Sequence, residues 1–325
     1  MEHYCTLFDH TYLSRGLTLY RSLQDHHPGE FVLWVLCLDD LTHDAITKFD
    51  AHGLRPIPLS EFERHDAAVA LTKRSRSLAE YYFSCTAAWC LFLLRQFPEI
   101  TRITYLDADL YFFSDPSPIF HEMDEASILI IPHRFPSQMT LLEQQFGIYN
   151  VGLLSFANDE IGRECLVWWR ERCLEWCFDR VEDGKFADQK YLDDWPQRFA
   201  NVKILHHKGA NLAPWNWVNY KIRTADGRIM VDEQVLIFYH YQGLKLLNPW
   251  MYDPGYADYG RMPAETRDQL YPPYIDSVRQ AYHLVREVVP SIVPGYTKIQ
   301  SRSYRWLTLI KHLLQGEIIF LSEPL

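Results

Sequence analysis

With 325 residues the chain can bury one large core and carry an appendage. Its 32 lysines and arginines stand against 42 aspartates and glutamates, and the resulting net charge of −10 argues against nucleic acid as a principal partner, because an acidic surface repels phosphate backbones. The 7 cysteines are odd in number and mostly embedded in apolar runs, which favours reduced, buried thiols over a disulfide framework and points to a reducing cytoplasm.

The chain enters a strand at residues 4–8 without a basic and apolar leader, and no apolar stretch reaches the roughly 18 residues of a spanning helix, so a soluble or peripheral protein is expected. A helix follows, with Leu13, Leu17 and Tyr20 on one face. Residues 31–38 are nearly unbroken apolar sequence, as expected of a strand covered by helices on both faces. Asp39 and Asp40 follow it, either as part of an acidic rim or as helix caps. Helical patterns at 44–52 and 86–96 lead to a strand at 103–106, and further strands are expected at 128–131, 151–156, 202–205 and 235–239. Cys165, Cys173 and Cys177 fall at helical spacing and read as packing, since no C-x-x-C pair or nearby histidine completes a zinc site. After about residue 248 the texture turns to Pro, Tyr and Gly, then to helices at 274–289 and 299–314. Strands alternating with helices predict an α/β sheet, and in open sheets of this kind ligands gather beyond the carboxyl ends of the strands.

The segment ITYLDADLYFF, 103–113, places Asp107 and Asp109 at such an end. On a period of two both side chains project the same way, and paired carboxylates resist ionising together unless a cation offsets their repulsion. Adjacent hard oxygen ligands suit Mg2+ or Mn2+. Three later strings carry further polar groups: YNVGLLSF at 149–156, FADQKYLDDW at 186–195 and FYHYQGLK at 238–245. In the last, His240 offers an imidazole, Gly243 close backbone approach and Lys245 a point charge for phosphate, against a plain strand-end histidine and a solvated lysine.

Taken in order, these strings resemble glycosyltransferase family 8, over roughly residues 3 to 250. The resemblance implies an α/β GT-A fold, a Rossmann-like open mixed sheet flanked by helices, with a helical C-terminal appendage. It implies a donor-binding catalytic domain over 1–250 and an extension over 251–325. The expected activity is metal-dependent transfer of a hexose from a UDP-sugar to a glycan acceptor, such as lipopolysaccharide, capsule or a similar surface glycan, with retention. By the same resemblance Asp107, Asp109 and His240 hold Mn2+ or Mg2+, and Lys245 and Gly243 meet the diphosphate. TLFDHTYLSRGLTLYRSL, 6–23, places Thr6, Asp9 and Tyr12 at the uracil, with helix-entry packing as the plainer role for Tyr12. Ala108 and Gly152 also line the donor, Asn150 lies beside its sugar, and Asp188 and Gln189 lie near the reacting carbon; a helix cap is the plain competitor at Asp188.

Two departures stand out. Where the family carries a donor-contacting arginine on the helix before D-x-D, this chain has Trp89 and Cys90, leaving Lys73, Arg74 or Arg76 as replacements. HYQGLK is also one residue shorter between Gly and Lys than the common form. HHKGANLAPWNW, 206–217, offers Trp215, Asn216 and Trp217 either as a sugar platform or as packing for the appendage. The tail sets Lys298, Arg302, Arg305 and Lys311 among Tyr304, Trp306, Leu307, Leu309, Ile310, Leu313 and Leu314, a basic amphipathic pattern that suits either the inner face of the cell membrane or docking on the protein itself. The competing functions are a nucleotide-sugar hydrolase or nucleotidyltransferase, and a non-catalytic nucleotide-sugar binding module.

Overall fold

The computed structural model describes residues 1–299 and 305–324. Arg302 and Tyr304 of the expected tail helix lie outside the described residues. In chain order the first strands are Glu2–Phe8 (β1), Phe31–Cys37 (β2), Leu54–Pro58 (β3), Arg102–Leu106 (β4), Leu110–Phe112 (β5), Ile128–Pro132 (β6), Tyr149–Ala157 (β7) and Val202–Ile204 (β8). The chain forms two compact units. The first comprises 1–8, 27–108 and 115–207, and the second 9–26, 109–114 and 208–325.

In the first unit seven strands form one mixed sheet in the order β3-β2-β1-β4-β7-β6-β8. β1 pairs in parallel with β2 and β4, whereas β7 runs antiparallel to both β4 and β6. The covering helix Leu78–Gln96 starts on a capping box: the Glu80 N–H donates to Ser77 Oγ, and the Ser77 N–H donates to Glu80 Oε2 at 2.7 Å. It packs on the helix Glu160–Glu175, and the apolar faces meet the sheet in a core holding Trp89, Trp169 and Trp195. All seven cysteines are buried and free; Cys165 and Cys173 face that core from the helix, and Cys177 lies beyond its end. Asp39 is the N-cap of the helix Asp40–Phe49, accepting the Thr42 N–H at 2.7 Å.

The second unit holds the helix Leu13–His26, β5, and the strands Ile222–Ala225 (β9), Arg228–Val231 (β10), Gln234–Val235 (β11), Phe238–His240 (β12), Lys245–Asn248 (β13), Met251–Asp253 (β14) and Ile319–Phe320 (β15). β5 pairs with β12, and β13, β14 and β15 form a small antiparallel sheet. The expected strand 235–239 is broken, because the Leu236 N–H is held by Ile229 while the Ile237 N–H turns to the Gly209 carbonyl. The long helix is Ala264–Val288, which runs through Pro272 and Pro273. Tyr271 and Tyr274 bury their rings in a tyrosine-rich core there, with Tyr241 and Tyr274 stacked at 3.7 Å. The last helix, Trp306–Leu314, is anchored by Leu309 and by His312, whose Nδ1 lies 2.6 Å from Asp253.

Candidate active site

The chain passes from the first unit to the second between Ala108 and Asp109, so the D-x-D carboxylates fall one in each. In the first unit Asp107 follows β4. Its N–H donates to the Gly152 carbonyl at 2.9 Å, and its carboxylate accepts the Tyr105 hydroxyl at 2.9 Å. Ala108 is buried beside it.

Asn150, Gly152, Asp188 and Gln189 come together in this unit. Asn150 lies on β7, which is buried at every position but the last. Its amide donates to Gln189 Oε1 at 3.1 Å, and its own carbonyl oxygen accepts the Gly152 N–H at 3.1 Å. Gln189 is further fixed by donating to the Phe146 carbonyl at 2.9 Å. Asp188 follows Ala187, whose φ of 47° is left-handed, and its main-chain oxygen takes the Trp169 indole N–H at 2.8 Å. At 4% exposure its carboxyl is pushed up to about 7, first by burial and then by the charge of Asp107; a hydrogen bond from Thr86 acts the other way. One residue here carries no sequence signal: His133, stacked on Phe135 at 4.7 Å with its Nε2 3.4 Å from the Asn150 amide.

In the second unit the pairing of β5 with β12 sets His240 opposite Leu110, and the Tyr241 N–H donates to the Asp109 carbonyl at 3.0 Å. His240 Nε2 therefore lies 3.2 Å from Asp109 Oδ1, the imidazole buried and the carboxylate partly so. Burial alone would raise the Asp109 carboxyl, but His240 and Arg15 hold it below its ordinary value. An ionised oxygen and an imidazole nitrogen so placed form a donor set that fits a divalent metal. The Trp215 indole meets the His240 ring edge-on at 5.3 Å.

Trp215 and Asn216 are buried, so neither forms a sugar platform. Asn216 closes its own loop, accepting the Ala213 N–H and donating to the Asn211 carbonyl, while half-buried Trp217 packs into the tyrosine-rich core.

Gly243 (φ 83°) turns the chain between His240 and Lys245. Gly255 lies so close that an added Cβ would meet the Gly243 carbonyl carbon at 2.5 Å. Lys245 opens β13, and its ammonium is lowered first by burial and then by Arg15.

Thr6 is buried on β1, with no hydrogen-bond partner for its hydroxyl among the described residues. Asp9 Oδ1 accepts the N–H and hydroxyl of Thr11 at 2.9 and 2.6 Å, and Tyr12 is 39% exposed. Of the candidate replacement cations, Arg76 donates to the Leu174 carbonyl at 2.9 Å and to Ser84, Lys73 pairs with Glu63, and Arg74 is exposed. Trp89, at the aligned helix position, stacks on Phe92 in the core.

No family model matches the chain. It is 34% identical over 252 residues to the uncharacterized protein YfnF of Bacillus subtilis (strain 168), covering 75% of this chain and 82% of that one. The chain belongs to the YfnF family. The YfnD protein of the same organism, also uncharacterized, is 28% identical over 297 residues, covering 90% of this chain and 94% of its own. Among solved structures, the galactosyltransferase LgtC in complex with donor and acceptor sugar analogs superposes with a TM-score of 0.54 at 16% identity, covering 90% of this chain and 97% of that one. An active-site mutant of LgtC gives 0.53 at 13% identity, covering 88% and 95%. This YfnF relative therefore has the GT-A fold that its motifs imply.

Proposed function

We propose that the protein is a metal-dependent glycosyltransferase that moves a hexose from a UDP-sugar to a glycan acceptor with retention. The observation that carries this reading is the pair of Asp109 and buried His240, 3.2 Å apart, in a chain of GT-A fold. We assign Asp109 and His240 as ligands of Mn2+ or Mg2+, with Asp107, two residues along the chain, as the third. Such an ion, when bound, neutralises charge on the departing diphosphate.

Lys245 adds a positive charge to the diphosphate, and Gly243 admits its oxygens to the backbone. Thr6, Asp9, Tyr12, Ala108 and Gly152 line the nucleotide and sugar. Asn150 and Gln189, fixed to one another at 3.1 Å, orient the sugar hydroxyls, while Asp188 stabilises positive charge at the anomeric carbon. The acceptor hydroxyl attacks from the leaving-group face and passes its proton to a phosphate oxygen. In this reading residues 1–250 bind the donor and residues 251–325 serve the acceptor, a surface glycan in polysaccharide biosynthesis.

The exposed side chains of the last helix, Trp306, Leu307, Ile310, Leu313 and Leu314, suit peripheral contact with the inner face of the cell membrane. None of the described helices is long and apolar enough to cross one. Sedimentation with anionic vesicles should fall for Leu307→Glu/Leu314→Glu; equal pelleting of variant and parent removes the membrane contact.

A panel of UDP-hexoses with Mn2+, read by release of UDP with and without glycan acceptors, tests the activity. Acceptor-stimulated release from one donor supports transfer. Release to water alone supports a hydrolase, and UDP binding without release supports a binding module.

A further inference from the structure

Two cations lie together in the second unit without a carboxylate of their own. Arg15, on the first turn of the helix Leu13–His26, is 4% exposed. Its Nη2 donates to the Leu244 carbonyl at 3.2 Å, and its guanidinium lies 4.3 Å over the Tyr12 ring. The residue after Leu244 is Lys245. Among the described residues neither Arg15 nor Lys245 forms an ion pair; the Asp109 carboxylate they both feel is already engaged by His240, and Asp253, opposite Lys245 on β14, is engaged by His312.

Burying one cation costs free energy, and burying two side by side costs more unless an anion joins them. Mutual repulsion is visible in the Lys245 ammonium, which burial and then Arg15 push below its ordinary value. A carbonyl and a tyrosine are weak compensation for a guanidinium with five donors. The fork geometry of those donors matches phosphoryl oxygens two at a time.

We propose that Arg15 is a second cation of the donor site, binding the diphosphate of the nucleotide together with Lys245. Its bond to Leu244 also fixes the chain from which Lys245 projects. The inference rests on the UDP-sugar reading above and adds a residue to it.

Calorimetric titration with UDP and with uridine, each in the presence of Mn2+, separates the two. If the wild-type protein binds UDP no more tightly than uridine, the diphosphate site itself is wrong. Given tight UDP binding by the wild type, Arg15→Gln should lose about 10- to 100-fold in UDP affinity while uridine affinity stays within about twofold. Arg15→Lys, which keeps the charge and loses the fork, should recover part of that loss. A purely structural Arg15 would weaken UDP and uridine by the same factor, and that result, or unchanged UDP affinity in both variants, overturns the proposal. Should the glutamine variant fail to fold, selective loss of UDP affinity in Arg15→Lys still decides the matter.

Discussion

Asp188 shows most directly how surroundings set chemistry in this chain. Its carboxyl, pushed up to about 7 by burial and Asp107, stays protonated in the fold over a pH range in which the unfolded chain releases the proton. The sign follows: the stability it contributes is full below about pH 4, declines as pH rises, and is gone above about 7. Urea melts of metal-free protein should show that slope, and Asp188→Asn should flatten it; parallel slopes would contradict the environment described. His240 depends on its neighbour as well. Trp215→Ala should weaken Mn2+ binding by about tenfold, as expected when a group that orients a ligand is lost, and a titration giving wild-type affinity would reject that role. Some of these residues were legible in the sequence. Asp107 and Asp109 follow an apolar strand on a period of two, and His240 ends another. Arg15 and His133 were not, because a basic residue near a helix start and a histidine after a strand look the same whether solvated or buried.

Elements were legible where their pattern was regular. Six of the seven strands of the large sheet are legible because the alternation of apolar runs and helices is strong. β3 is hidden because Leu54–Pro58 carries Pro56 and Pro58, which fit only where N–H groups are not needed, and β3 is indeed an edge strand. Pro272 and Pro273 hid the first turns of Ala264–Val288, where packing of Tyr271 and Tyr274 outweighs lost backbone bonds. The helix Leu78–Gln96 begins earlier than its apolar pattern suggested because Ser77 and Glu80 cap it. Ser77→Ala should cost about 1 kcal/mol in denaturant unfolding, and Trp89→Ala about 3–5 kcal/mol, since the indole lies in the core. A Trp89→Ala cost under about 1 kcal/mol would mean that this helix face is not core. Gly255→Ala forces the chain at Gly243 to shift, so both the melting temperature and UDP affinity should fall. A loss of stability with UDP affinity intact would separate this turn from the site.

The whole molecule has the GT-A fold and belongs to the YfnF family. Arg15 is buried and Lys245 half-buried near it, in a protein with a net charge of −10. The central claim is that Asp109 and His240 hold a divalent ion that receives the diphosphate of a nucleotide. Its most direct test is calorimetric titration of UDP into wild type and Asp109→Ala, each with Mn2+ and with chelator. The account predicts UDP binding by the wild type only when Mn2+ is present, and none by the variant in either condition. UDP binding that is as tight in chelator, or as tight in Asp109→Ala, would contradict it.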